Sequence, residues 1–242
     1  AKQLAMLRRL PKILRFIPGT AQDLRLYFLS MQYWLLGSDV NIANMVKLLA
    51  ARYSAKQHAL TITERSVEAP RQYPDVGLYH PRAKGKLVNS SNALPVPAKA
   101  KGTVGLIVMR SYLLAGNAAH YDGVIDALEA KGLAVMPVFA SGLDARPAIE
   151  EFLIDDGVCK VDAVVSLTGF SLVGGPAYND CQAAQAMLAE LNVPYLSALA
   201  LEFQSVKQWE DSDQGLLPLE TMMMVAIPEL DGATGTMVFG GR

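Results

Sequence analysis

The chain has 242 residues, 51% hydrophobic and 19% charged, with two cysteines and a net charge of −1. That composition excludes a disordered chain, a disulfide-stapled mini-protein and a cysteine-rich metal site. The charge is unevenly spread: residues 1–100 hold 15 Lys/Arg against 5 Asp/Glu, and residues 101–242 hold 7 against 18. The basic side chains are scattered among apolar ones, which points to two modules rather than to nucleic acid.

In chain order, Leu4, Leu7, Leu10, Leu14 and Ile17 stand at helical spacing, with Pro11 a break or kink. Thr20 reads as the N-cap of a second helix, which runs through Tyr27, Phe28, Met31, Trp34 and Leu35 to Gly37. Asp39 opens a third, with Ile42, Met45, Val46, Leu49 and Ala50 on one face. The first fifteen residues carry Lys2, Arg8, Arg9, Lys12 and Arg15 and no acid. They read as a helix packing on a neighbour; the other reading is a membrane-surface or transit helix. These pieces make a helical segment, 1–69. Residues 70–102, with five prolines and the polar run Asn89 to Asn92, read as an irregular linker, interrupted by an island from Val76 to Pro81.

From residue 103 short apolar runs alternate with amphipathic ones. Strands are predicted at 103–109, 133–139, 162–167, 193–199 and 236–239, and helices at 118–131, 147–154, 179–191 and 217–227. This order predicts an α/β domain over 103–242, a parallel sheet of flavodoxin-like or Rossmann-like topology with helices on both faces. No apolar run reaches the roughly 18 residues that a membrane helix needs; the nearest, 216–227, carries Glu220.

In such a sheet ligands bind beyond the carboxyl ends of the strands. Three loops qualify. After the first strand, Arg110 either clamps a carboxylate or ties the loop to its own backbone. His120 and Tyr121 open the next helix, where backbone N–H groups favour anions. After the third strand, Thr168, Gly169, Gly174 and Gly175 form either a ligand cradle or a tight turn. After the fourth, Glu202 is an acid/base candidate or a solvated carboxylate. The chain has no GxxxxGK[ST] or GxGxxG phosphate loop, which counts against a nucleotide or flavin binder. His58, His80 and His120 lack zinc-ligand spacing, so no metal site is expected.

Longer motifs add a resemblance. VGLYHPR (76–82), VGLIVMRSYLLAGNAAHYD (104–122), LAVMPVFASGL (133–143), DAVVSLTGFSLVGGP (162–176), LNVPYLSALAL (191–201) and VAIPELDGATGTMVFGGR (225–242) occur in one order. They resemble the family of magnesium chelatase large, porphyrin-binding subunits and their cobaltochelatase relatives. The resemblance covers about residues 70–242. It implies insertion of Mg²⁺, as substrate, into protoporphyrin IX on the way to chlorophyll or bacteriochlorophyll. It further implies ATP hydrolysed by partner AAA+ subunits, and a bacterial cytoplasmic or plastid-stromal setting, with membrane association open. Family members are far longer, so the chain reads as a fragment, inactive alone, with most catalytic groups elsewhere. Arg110, His120, Tyr121, Thr168, Gly169, Gly174 and Gly175 lie in the matching motifs as candidate substrate contacts. Arg110 suits a propionate of the porphyrin. The alternatives are the cobaltochelatase large subunit, with Co²⁺ and a corrin-type substrate, and a non-catalytic scaffold or docking module.

Overall fold

The computed structural model describes residues 10–54, 61–97, 99–175 and 177–241. The helix expected at Leu4 and Leu7, and His58, lie outside these. The chain divides into two compact units, Ala1–Pro74 with Leu114–Gly116, and Asp75–Leu113 with Asn117–Arg242.

The first unit is helical. Residues 10–14 form a helical turn, and α1 (Ala21–Leu36) and α2 (Asp39–Tyr53) follow. Thr20 stands at the N-cap but has helical dihedrals, so its hydroxyl makes no capping bond. Ser38 caps α2, accepting from the Asn41 amide. Leu26 and Tyr33 of α1 pack with Leu48 of α2. The buried face of α2 differs from the expected one: it carries Asn41, Asn44 and Leu48, while Val46 is exposed. The cause is a polar anchor. Asn41 donates to the Arg71 carbonyl (2.9 Å) and accepts from the Arg71 amide (2.8 Å), so an extended segment is bound to the helix.

The second unit is built on one sheet. Its strands are β1 (Val76–Tyr79), β2 (Leu87–Val88), β3 (Thr103–Ile107), β4 (Ala134–Ala140), β7 (Ala163–Ser166), β10 (Tyr195–Leu201) and β11 (Thr234–Gly241). Small hairpins supply β5 (Ile154–Asp155) with β6 (Val158–Cys159), and β8 (Gly174–Gly175) with β9 (Tyr178–Asn179). The order across the sheet is β11-β10-β7-β3-β4-β1-β2. β3, β4, β7, β10 and β11 are parallel, and β1 and β2 add an antiparallel edge. Ranked by chain position, the parallel strands run second, first, third, fourth, fifth, which is the flavodoxin-like order. The switch point lies between β3 and β7, where Ile107 sits beside Ser166.

The helices are α3 (Arg110–Leu114), α4 (Ala119–Ala130), α5 (Arg146–Phe152), α6 (Cys181–Leu191) and α7 (Val206–Glu210). Pro218–Glu220 runs through a π turn, Thr221–Ala226, into Ile227–Asp231; together these make α8. Strand alternation sorts the side chains. Val104 and Leu106 join Tyr121 and Ile125 of α4 on one face, and Ile107 joins Ile149 of α5 and Met187 of α6 on the other. Between them Gly105 leaves room for Leu153, whose Cδ1 would lie 3.0 Å from an added Cβ.

The stretch read as a linker supplies β1 and β2. β1 is pinned to α4 by side chains of one short motif. Tyr79 donates to Asp122 (2.6 Å), His80 Nε2 meets Glu129 (3.1 Å), and Arg82 bonds Asp126 (2.5 Å) and Glu129. His80 Nδ1 accepts from the Arg82 amide, so the ring is neutral with its proton on Nε2. The glycines after β7 form a hairpin: the Gly174 amide donates to the Leu143 carbonyl (2.7 Å) and its φ is 111°.

Candidate functional site

The largest cavity, about 430 Å³, opens at the carboxyl edge of the sheet. Three segments build it. α3 brings Tyr112, the first turn of α4 brings Ala119 and His120, and the ends of β10 and β11 bring Ala200, Leu201, Glu202 and Gly241. Asn117 completes the lining. The small residues leave the space; the large ones supply the chemistry.

Tyr112 donates its hydroxyl proton to Glu202. Burial and the neighbouring carboxylate push the phenol up to about 12. His120 sits in an aromatic nest: 5.4 Å edge-on to Tyr112, 3.9 Å from the Tyr121 ring and 6.1 Å stacked on Phe239. Burial holds His120 below its usual 6.5, against the opposing pull of Asp122 and Glu202. The imidazole is therefore neutral at pH 7 and keeps a lone pair. Tyr121 is the floor of this nest. It is 1% exposed, its hydroxyl accepts from the Met109 amide (3.3 Å), and burial drives its pKa well above the usual value.

A second, much smaller cavity lies at the switch point, near Ser166, Thr168 and Ser171. Its volume of about 20 Å³ admits about one water. Thr168 bonds Ser166 there at 2.9 Å. Asp231 of α8 holds the adjoining loop, accepting from the Ser171 hydroxyl (2.8 Å) and the Leu172 amide (2.7 Å).

The seven candidates thus separate. His120 lines the large cavity and Tyr121 supports it. Thr168 lines the small one. Gly169 (φ 73°) backs onto Met224 of α8, 3.3 Å from an added Cβ. Gly174 and Gly175 belong to the β8–β9 hairpin, where a Cβ on Gly175 would meet Leu143 at 2.3 Å. Arg110, half-buried at the start of α3, stands outside both linings; burial lowers its pKa against the pull of Asp75. Sequence reasoning does not single out Tyr112, Asn117 or Phe239. The available signal is the density of aromatic and polar residues between Tyr112 and Tyr121, just past the first parallel strand.

Residues 31–242 match the family model described as CobN/Magnesium Chelatase. The chain belongs to the CobN/magnesium chelatase family. Residues 1–28 match a second model, described as a domain of unknown function (DUF3479). The magnesium-chelatase H protein of Cereibacter sphaeroides is 56% identical over 99% of this chain and 20% of its own length. The chloroplastic magnesium-chelatase protein ChlH of Oryza sativa subsp. indica is 41% identical over 99% of this chain and 18% of its own. The aerobic cobaltochelatase protein CobN of Pseudomonas aeruginosa is more distant, 27% identical over 83% of this chain. Among solved structures, the catalytic subunit of cobaltochelatase from Mycobacterium tuberculosis superposes with a TM-score of 0.59. It covers 86% of this chain and 16% of its own, at 23% identity, so it speaks to the fold. The chain therefore spans about a fifth of the length of its magnesium-chelatase relatives. No described helix is long and apolar enough to cross a membrane.

Proposed function

We propose that this chain is a segment of the porphyrin-binding subunit of a magnesium chelatase. The observation that carries this is the 56% identity to the Cereibacter sphaeroides magnesium-chelatase protein across nearly the whole segment. The lower identity to the cobalt relatives favours magnesium over cobalt. In this reading the complete protein works with AAA+ partners that hydrolyse ATP, in a bacterial cytoplasm or a plastid stroma, and Mg²⁺ and protoporphyrin IX are its substrates.

The large cavity is the segment's contribution to the porphyrin site. Tyr112, His120 and Phe239 offer aromatic surface to the edge of a flat macrocycle. Metal insertion removes two pyrrole N–H protons, and the neutral His120 imidazole and the Glu202 carboxylate are groups that can accept them. Arg110 is the cation nearest in sequence to this edge and takes the role of a propionate contact.

Titration of the purified chain with a water-soluble porphyrin tests this, read by the porphyrin absorbance band and tryptophan quenching. Saturable binding, weakened by His120→Ala and by Arg110→Ala, is the expected result. Glu202→Gln should leave binding largely intact and blunt its rise with pH, because the amide cannot take a proton. Saturable binding that none of these variants changes would remove the cavity from the porphyrin site. No binding at all would leave the segment a scaffold within the larger protein.

A further inference from the structure

The first helix of the chain is apolar on two opposite faces. One face carries Leu26 and Tyr33, buried against α2 with Leu29 beside them. The other carries Leu24, Tyr27, Met31, Trp34 and Leu35, spaced three, four, three and one residues apart, within one arc of the helix. On that face Leu24 is 48% exposed, Tyr27 58%, Trp34 64% and Leu35 55%. Phe16, in the segment leading to α1, is 83% exposed. A helix apolar on both sides is a helix covered on both sides. The hairpin is also short of core: among described residues up to Pro74, only Leu26, Tyr33 and Leu48 are buried apolar side chains, against nine large exposed ones.

We infer that the outward stripe of α1 is a docking surface for the domain whose family model takes in residues 1–28. The boundary between the two family models falls inside α1, at residues 28 to 31. The helix is therefore shared: its α2 side belongs to the chelatase-family unit, and its other side is left for the second domain. Twenty-eight residues are too few to enclose a core, so that domain draws on more chain, and the relatives have about five times the length spanned here. Exposed Lys12 and Arg15, interleaved with Ile13 and Phe16, add positive charge. The partner face is thus an apolar groove with carboxylates on its rim. The inference rests on the chain being a segment of a longer protein; it does not depend on porphyrin binding.

Hydroxyl-radical footprinting with residue-level mass spectrometry tests it. Oxidation of Tyr27 and Trp34 would be compared in this chain and in the full-length protein. The expected result is a several-fold drop in the full-length protein, reversed when the chain preceding this segment is deleted. If that deletion does not fold, Tyr27→Glu with Trp34→Glu in the full-length protein replaces it, with new proteolytic cleavage at the junction as the readout. Equal oxidation in both lengths would overturn the inference, and so would shelter that survives the deletion. Two further results would also overturn it. Shelter in this chain that is lost on dilution assigns the stripe to a second copy. Shelter induced by phosphatidylglycerol vesicles, and not by chain length, assigns it to a membrane surface.

Discussion

Two histidines are held neutral by burial, and their consequence for stability has a definite sign. His80 is fully buried, and burial with the nearby positive charge of Arg82 lowers its pKa below 6.5; Asp126 and Asp122 oppose this, and Glu129 accepts its Nε2 proton. His120 is lowered by burial as well. Below 6.5 the unfolded chain takes up protons that the folded chain refuses, so the unfolded state binds more. Stability is therefore full above pH 6.5 and falls as pH drops below it. Thermal melts between pH 8 and 5 should show this loss, and His80→Gln should flatten the curve; a curve that is flat in the unmodified chain would refute the assignment. Tyr79→Phe removes the 2.6 Å bond to Asp122 and is expected to cost about 1 kcal/mol in urea unfolding, because Asp122 is only half-buried and water replaces part of the bond.

Among the elements, β3 is the most constrained, because the sheet and both helical layers close on it. Gly105→Ala is expected to destabilise by about 1–3 kcal/mol, since the new methyl stands 3.0 Å from the fully buried Leu153. Leu153→Ala should recover part of that loss if the clash is the cause, which a double-mutant cycle in denaturant measures. The antiparallel edge β1–β2 behaves differently. It is held through side chains to α4 more than through a long ladder, since β2 pairs at only two positions. Its hold depends on the ionised Asp122 and Glu129 and on neutral His80.

For the molecule as a whole, the two units differ in how much they bury. The α/β unit encloses core clusters on both faces of its sheet, while the helical unit has three buried apolar side chains. Hydrogen exchange should therefore be faster in α1 and α2 than in β3, β7 and β10 in this chain. Equal protection in both would contradict that difference.

Periodicity and turn chemistry are enough to read the parallel strands at 103–107, 134–140, 163–166 and 195–201 and the helices between them. Apolar runs buried on both faces leave a local signature, and the long motifs carry the family. The pairing of β1 with β4 is not legible, because four residues among prolines have too little local preference and gain their strand from a partner some sixty residues away. The same holds for the candidate site. Arg110 and the glycines are residue types suited to ligands, but their environment depends on neighbours remote in sequence. The β8–β9 hairpin takes up Gly174 and Gly175. Tyr112 and Glu202, ninety residues apart, meet only because β3 and the β10 end lie at the same edge of one sheet. Local pattern records which face of an element is apolar; which side chains converge is set by strand order, and strand order is a property of long-range pairing.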